Sequence, residues 1–306
     1  MEISKIILGT AQFGWAADEK TSFEVMDRYM SLGGKTFDTA RVYGNAERVL
    51  GEFVRAGGIR KDVVIVTKGA HYVLDDPDRT PRLSESDIKL DISHSLDALK
   101  TDYVDIFLLH RDDPTKDVGE IVEAMHGIVR SGLAKYIGVS NWKYDRIKEA
   151  NEYAKKHSLT PLKYNQVEFG RAVINSDYRP DPTIERLSAD EYEKAACEPS
   201  VKIMAYSSQC NGFFYQAEKY GIENLPATLK AKFLNAYTLQ NLRLITSAAK
   251  DLGVTPAAMA LSSVINDKLN IAAVVGASSV LHVDEIMSSL ELDPTVVRAL
   301  SEKLGK

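Results

Sequence analysis

Eight short runs of β-branched and other aliphatic residues recur along this chain, and between them apolar residues return at helical spacing. Strands that alternate with helices in this way pair in parallel through right-handed crossovers, and eight such units suit a closed barrel better than an open sheet. The pattern therefore predicts the α/β class and a (β/α)8 TIM barrel, with an open doubly wound sheet as the alternative. The predicted strands are residues 5–8, 35–38, 63–68, 103–110, 136–140, 163–167, 201–206 and 271–276.

The 306 residues suffice for one barrel of about 250 residues or more. Because no Pro-, Gly- or Ser-rich linker divides the chain, we expect a single domain over residues 1–306. Three long connections each follow a strand and are expected on the carboxyl-terminal face, where barrels place their chemistry. They are 71–83, 169–188 and 207–228, and the last two are candidates for a lid. Two helices are predicted at 237–251 and 256–265, between the seventh and eighth strands.

Charge and composition favour small-molecule chemistry. The formal net charge is −5, both signs are interspersed, and no long basic run marks a nucleic-acid or anionic membrane partner. No stretch reaches the roughly 18 apolar residues of a membrane span. With only Cys197 and Cys210 and no apolar signal-peptide core after Met1, the sequence predicts a cytoplasmic protein without a disulfide framework.

Four residues with chemically useful side chains fall at or just after consecutive predicted strands: Asp38, Tyr43, Lys68 and His110. On neighbouring strands of one barrel they would converge at its mouth. A nearby ammonium lowers the pKa of a tyrosine, so Tyr43 beside Lys68 is a candidate proton donor. Asp38 would pair with Lys68, and His110 would donate a hydrogen bond to a substrate oxygen.

This set contains no obvious nucleophile, and His110 has no partners at metal-ligand spacing, so no metal site is expected. Proton transfer to an oxygen remains, which is half of a carbonyl reduction when a cofactor supplies hydride. The alternative is purely structural: Asp38 and Lys68 form an ion pair at the barrel end, Tyr43 covers it, and backbone groups satisfy His110.

A second cluster follows the last predicted strand, where residues 276–279 read Gly-Ala-Ser-Ser and lead into a helix. Backbone N–H groups at a helix N-terminus bind anions, and barrels often keep a phosphate site after their last strands. An ordinary turn with a helix N-cap would have the same sequence.

Taken together, these motifs resemble the aldo-keto reductase superfamily. The matching pieces are Phe37-Asp38-Thr39-Ala40, Val42-Tyr43-Gly44, Val66-Thr67-Lys68 and Leu108-Leu109-His110, followed by Ile137-Gly138-Val139-Ser140-Asn141, Tyr164-Asn165-Gln166-Val167-Glu168, Ala205-Tyr206-Ser207 and Gly276-Ala277-Ser278-Ser279. Leu8-Gly9-Thr10 and Gly14 also match, and the resemblance covers nearly the whole chain.

The resemblance implies an NAD(P)H-dependent reductase of an aldehyde or ketone, with Tyr43 as general acid, Asp38 and Lys68 tuning it, and His110 orienting the carbonyl. Ser140, Asn141 and Gln166 would hold the nicotinamide carboxamide, and Tyr206 would stack on the ring. The remaining implied cofactor residues are Gly9, Thr10, Ala11, Ser207, Ser208, Gly212, Gly276, Ala277, Ser278, Ser279 and His282.

Several features depart from the family pattern. The β-hairpin that usually plugs the bottom of the barrel is expected to be short or absent. Ser278 and His282 stand where an Arg usually binds the 2′-phosphate, so NADP(H) is favoured on family grounds while NAD(H) stays possible. Ile286 replaces a polar adenine contact, and Ser208 replaces a frequent Pro.

Position alone nominates Trp15, His71, Tyr72, Arg111 and Trp142 as substrate-pocket residues. Arg111, directly after His110, would favour an anionic or sugar-like substrate; sugars, small aldehydes, keto-sugars and dehydrogenated glycosides all stay open. Two other functions are considered: a cofactor-sensing binding subunit that resembles potassium-channel β subunits, and a barrel enzyme that forms a Schiff base on Lys68.

Overall fold

The computed structural model describes residues 2–305 and closes eight parallel strands into a barrel, each strand pairing with the next along the chain and the last with the first. The strands are β1 (Ile6–Gly9), β2 (Thr36–Asp38), β3 (Val64–Gly69), β4 (Val104–Leu109), β5 (Ala134–Ser140), β6 (Tyr164–Glu168), β7 (Lys202–Tyr206) and β8 (Ala272–Val275). All eight predicted strands are confirmed to within two residues at each end, and the open-sheet alternative is wrong.

The strands form because both of their faces are covered. All six residues of β4 are buried, which fits a parallel barrel with packed side chains inside and helices outside. Ile7, Val66, Ile106 and Met204 belong to the cluster that fills the interior. Residues 2–5 form no strand ahead of β1, and Ile3 packs against the interior cluster instead.

Twelve α-helices cover the barrel within residues 2–305. They are α1 (Glu19–Ser31), α2 (Ala46–Gly57), α3 (Glu85–Leu99), α4 (Val118–Arg130), α5 (Tyr144–Lys156), α6 (Ala189–Cys197), α7 (Phe213–Tyr220), α8 (Ala227–Phe233), α9 (Ala236–Leu252), α10 (Pro256–Ile265), α11 (Val280–Ser288) and α12 (Pro294–Ser301). None of them is long and apolar enough to cross a membrane.

The connection predicted at 207–228 contains helices that the sequence analysis did not predict: all of α7 and the start of α8. Phe213 and Phe214 of α7 are buried against Phe233 of α8 in a second apolar cluster beside the barrel. This helix is hard to recognise in the sequence because it is short and lies between two glycines, Gly212 and Gly221, which are its caps. The connections predicted at 71–83 and 169–188 lie outside the regular elements and follow β3 and β6, and the first of them spans 70–84 in the structure.

Two helical glycines provide a matched test of the packing. A Cβ added at Gly51 would lie 2.7 Å from the carbonyl oxygen of Ala98, because α2 packs closely on the end of α3, whereas one added at Gly127 meets no atom within 4 Å. We therefore expect Gly51→Ala to lower the free energy of unfolding by about 1–3 kcal/mol. Gly127→Ala should raise it by about 0.5–1 kcal/mol through its higher helix propensity.

Denaturant unfolding of both variants and of the parent chain measures these changes in the free energy of unfolding. Equal effects of the two substitutions would contradict the α2–α3 contact described above.

Candidate active site

The strand ends bring the four predicted catalytic side chains together. Asp38 is the last residue of β2 and pairs in register with Val66 of β3, two residues before Lys68. His110 follows β4, and Tyr43 lies in the turn between β2 and α2. Asp38, Tyr43 and His110 line a cavity of about 530 Å³ at the barrel mouth, which we call the inner cavity.

A buried ion pair forms the floor of this site. Lys68 is 0% exposed and Asp38 3%. The Lys68 Nζ donates to both Asp38 carboxylate oxygens, at 2.8 and 2.7 Å, and to the Thr39 carbonyl oxygen at 2.7 Å. The Gln166 side-chain amide donates to Asp38 Oδ1 at 2.7 Å. Each charge therefore has several hydrogen-bond partners, as a buried ion requires.

Tyr43 lies next to this pair, with Lys68 Nζ 5.0 Å from its ring centroid. Burial raises the pKa of the Tyr43 phenol, and although the Lys68 charge acts to lower it, the pKa stands above its ordinary value. The expectation of a lowered pKa is therefore wrong in sign, because burial disfavours the phenolate more than the ammonium stabilises it. The phenol retains its proton at neutral pH.

Lys68 retains its proton as well. Burial acts to lower the pKa of the Lys68 ammonium, but the Asp38 carboxylate and Tyr43 outweigh it and raise the pKa above its usual range. A protonated amine without access to the cavity has no lone pair to attack a carbonyl. This arrangement argues against the Schiff-base alternative.

His110 completes the wall opposite the ion pair. Its ring meets the Tyr43 ring edge-on, with centroids 5.7 Å apart. Burial holds the pKa of the His110 imidazole well below its usual value, and the charge of Lys68 acts in the same direction, so the ring is neutral. Its Nδ1 has no hydrogen-bond partner among residues 2–305, contrary to the structural alternative in which backbone groups satisfy it.

The residues predicted to hold a carboxamide form a hydrogen-bonded group on the same cavity. Ser140 Oγ donates to the Gln166 carbonyl, and Asn141 Nδ2 donates to Ser140 Oγ and to the His110 carbonyl. The Tyr206 hydroxyl donates to Asn141 Oδ1 at 2.8 Å. Asn141 has a φ of 60°, a left-handed conformation that asparagine tolerates and that turns the chain away from β5.

A second cavity of about 830 Å³, the outer cavity, continues from the first. The two share Gln12, Ser207, Val274 and Gly276 in their walls. The outer cavity lies beside the N-terminus of α11, where Ser279 is the N-cap and accepts the His282 N–H. Both volumes are within the usual range for cofactor sites, and backbone donors at a helix start suit phosphate groups.

Most predicted cofactor residues line this paired cleft. Gly9, Ala11, Ser140, Asn141, Gln166, Tyr206, Ser207, Gly276 and Ala277 line the inner cavity, and Ser207, Ser208, Gly212, Gly276, Ser278 and His282 line the outer one. Thr10 and Ser279 do not line either cavity. Thr10 is fully buried and donates through its backbone N–H and its side chain to the Asp38 carbonyl, so it fixes the Asp38 backbone without reaching the cavity.

Sequence reasoning missed Gln209 and Glu285. Gln209 Oε1 accepts the Gly276 N–H at 3.0 Å, and its Nε2 lies 3.2 Å from His282 Nε2. This side chain therefore connects the loop after β8 with α11. Glu285 lines the same cavity one turn into α11. The position of Gln209 just after the matched Ala-Tyr-Ser motif was the available signal.

Three of the five predicted substrate residues line the inner cavity: His71, Tyr72 and Arg111. Trp15 is 74% exposed, and its indole donates to the Ala11 carbonyl outside the cavity wall. Trp142 is 1% exposed and lies behind the wall, where its indole donates to the Arg111 carbonyl. This placement does not support direct substrate contact by either tryptophan.

The charge of Arg111 is already paired. Its Nη2 lies 3.4 Å from Asp181 Oδ2, its Nε donates to Thr183 Oγ1 at 2.8 Å, and its Nη1 donates to its neighbour's carbonyl, that of His110. Tyr72 donates its hydroxyl to the same Asp181 carboxylate. Asp181 offsets part of the Arg111 charge, but the same carboxylate also lies 3.7 Å from Arg79. The expectation that Arg111 favours an anionic or sugar-like substrate stays a prediction.

Comparison with known proteins agrees with this geometry. Residues 5–304 match the model of the aldo/keto reductase family. The chain belongs to the aldo/keto reductase family. It is thus an oxidoreductase of a family that reduces carbonyl groups and generally uses NAD(P)H.

Individual relatives are distant. A norsolorinic acid reductase of Emericella nidulans is 28% identical over 96% of this chain and 76% of its own. An NADP(+) aryl-alcohol dehydrogenase of Phanerodontia chrysosporium is 31% identical over 53% of this chain and 47% of its own. A probable voltage-gated potassium channel β subunit of Oryza sativa is 26% identical over 99% and 92%.

The neutral, buried His110 of this aldo/keto reductase predicts a pH-dependent stability. Because burial lowers the pKa of His110 in the fold, the unfolded chain binds a proton there that the folded chain does not. Stability should then fall as the pH drops through about 6.5, and between about pH 7.5 and 5.5 this one group should account for about 1 kcal/mol.

Denaturant unfolding at both pH values checks this. The parent chain should lose about 1 kcal/mol more than His110→Gln over that range. Parallel losses in the two proteins would show that His110 titrates normally in the fold.

Proposed function

We propose that this aldo/keto reductase reduces a neutral aldehyde or ketone to the alcohol, with Tyr43 as the general acid. The observation that carries the proposal is a protonated Tyr43 phenol on a cavity wall, beside the Lys68 ammonium and facing an imidazole whose Nδ1 is unpartnered. We place the reaction in the cytoplasm, in keeping with two free cysteines.

Each side chain then has one task. The substrate oxygen lies between Tyr43 and His110, and the neutral His110 ring donates one hydrogen bond to it. Ser140, Asn141, Gln166 and Tyr206 would hold the nicotinamide end of NAD(P)H in the paired cleft, and the bound cofactor would supply hydride. Tyr43 gives its proton to the oxygen, and the Lys68 ammonium stabilises the phenolate that remains. Asp38 keeps Lys68 charged and in place.

The cavity wall favours an uncharged, partly apolar substrate. Tyr72, Leu74 and Ile184 line its outer side, and Arg111 is held by Asp181. An aryl carbonyl compound suits these surfaces better than a phosphorylated or anionic sugar, because a buried anion would need a free cation. The name of one relative, an aryl-alcohol dehydrogenase, points to the same class.

The full-length likeness to a probable channel β subunit favours one alternative, a cofactor-sensing binding subunit. Such a subunit would bind the cofactor in the same cleft with very slow turnover. Steady-state turnover with good carbonyl substrates distinguishes the two, since a reductase should reach about 1 per second or more.

The outer cavity also supports a cofactor preference for NADH. Glu285 lines it, and no Lys or Arg does so within residues 2–305; Lys219, on α7, donates instead to the Tyr215 hydroxyl. Burial lowers the pKa of His282, which leaves it neutral. The 2′-phosphate of NADPH, with a charge of about −1.5 to −2, would meet a carboxylate on the cavity wall. The cations next to the lining residues are already engaged, since Lys219 donates to Tyr215 and Lys232 donates to Glu168 and Asn211. We therefore expect this enzyme to prefer NADH, although NADP(H) is favoured on family grounds.

Removal of the general acid tests the reaction. Tyr43→Phe should cut carbonyl reduction by on the order of 100-fold or more, because the other phenols that line the inner cavity, those of Tyr72 and Tyr206, already donate to Asp181 and Asn141. Cofactor affinity, followed by quenching of intrinsic fluorescence, reports whether the cleft stays intact. Full activity of the variant would remove Tyr43 from its proposed role.

The cofactor preference is tested by binding alone. Fluorescence titration of the parent chain should give NADH an affinity at least about tenfold higher than NADPH. Glu285→Gln should narrow this ratio, and His282→Arg should shift it toward NADPH by about tenfold.

Asp284→Asn is the matched control, since it makes the same charge change on α11 at a residue that pairs with Arg28 and does not line the cavity. Tighter NADPH binding by the parent chain, or an Asp284 effect equal to that of Glu285, would contradict the assignment.

A further inference from the structure

His71 is a second histidine in the inner cavity, and its ring is fixed in place. It follows β3 through a turn in which Ala70 has a φ of 60°. The side chain is 8% exposed and lines the cavity wall. Its ring meets the His110 ring edge-on, with centroids 4.7 Å apart, and lies 4.1 Å from the Tyr72 ring. His71 therefore sits beside the position of the reacting carbonyl.

One hydrogen bond determines the tautomer of this ring. His71 Nδ1 lies 2.8 Å from the Tyr72 carbonyl oxygen, and since a carbonyl only accepts, Nδ1 carries the hydrogen. Burial lowers the pKa of the His71 imidazole below its usual value, so the ring is neutral at pH 7. A neutral ring with its hydrogen on Nδ1 presents a bare lone pair at Nε2.

This lone pair has no donor of its own. Within residues 2–305, the His71 ring forms a hydrogen bond through Nδ1 and none through Nε2. The nearby Arg82 donates to the His71 backbone carbonyl and not to the ring. Arg111 is engaged by Asp181 and Thr183. Because the ring lines the cavity, a bound ligand that covers Nε2 without donating to it leaves this acceptor unpaired, which costs free energy, whereas a ligand that donates to it avoids that cost.

We propose that His71 Nε2 accepts a hydrogen bond from a substrate hydroxyl, so that the enzyme selects carbonyl compounds that carry a hydroxyl near the carbonyl group. This assignment rests on the proposed carbonyl reduction and narrows its substrate class. Combined with the apolar wall of Tyr72, Leu74 and Ile184, it favours hydroxyaryl aldehydes or ketones. Selectivity arises because a substrate without the hydroxyl leaves a desolvated acceptor unpaired.

A matched set of substrates tests this without any variant. Benzaldehyde is compared with its hydroxy and methoxy derivatives at each ring position, because methoxy and hydroxy groups are electronically alike but only the hydroxyl donates a hydrogen bond. At one or more positions, kcat/KM for the hydroxy compound should exceed that for the methoxy compound by at least about tenfold. A ratio near unity at every position would overturn the proposal.

Two variants then assign the selectivity to His71. His71→Asn places an amide N–H near the Nδ1 position but leaves nothing at Nε2, whereas His71→Gln places an amide oxygen near Nε2. The hydroxy-to-methoxy ratio should fall toward unity in the Asn variant and stay substantial in the Gln variant. An unchanged ratio in the Asn variant would show that another group recognises the hydroxyl.

The outcomes separate this inference from the reaction it rests on. If no aldehyde of the set is reduced with NADH or NADPH although cofactor binds, the proposed carbonyl reduction fails and the His71 assignment fails with it. If the aldehydes are reduced without preference for hydroxy compounds, only the His71 assignment is overturned.

Discussion

The ion pair between Lys68 and Asp38 is the interaction on which the site depends. Burial of an unpaired ammonium would cost several kcal/mol, and here three short hydrogen bonds to Asp38 and Thr39 offset that cost. The pair joins the ends of β2 and β3 and keeps Lys68 charged. Its field reaches both Tyr43 and His110. It acts with burial to lower the pKa of His110, whereas burial raises the pKa of Tyr43 against it, so both rings are neutral.

Hydrogen bonds connect the ion pair to the rest of the cleft. Gln166 donates to Asp38, and Asn141 joins the Tyr206 hydroxyl to the His110 carbonyl. The residues proposed to orient the cofactor and those proposed to move a proton therefore belong to one rigid group built on strand ends. Such rigidity matters because catalysis depends on positioning the reacting atoms before the reaction begins.

Sequence reasoning located the strands and the four central residues because both signals are local: buried parallel strands are continuous apolar runs, and side chains at their ends must converge. It failed where distant segments decide the outcome. Asp181 pairs with Arg111 across about 70 residues of chain. Burial rather than Lys68 sets the direction of the Tyr43 pKa. The helix α7 is stabilised by Phe233, which follows it in the chain. The contacts of Gln209 with Gly276 and His282 depend on β7 and β8 being neighbours in the barrel, which the sequence does not show directly.

Direct hydride transfer to the carbonyl carbon tests the account most directly. Reduced cofactor deuterated at nicotinamide C4 on one face, and then on the other, is used to reduce an aryl aldehyde, and the alcohol is examined by mass spectrometry. If Tyr206 and the group of Ser140, Asn141 and Gln166 hold the nicotinamide ring in one orientation, as we propose, the product should contain deuterium from one labelled cofactor and none from the other. Transfer from both faces, or an alcohol without deuterium from either, would contradict it.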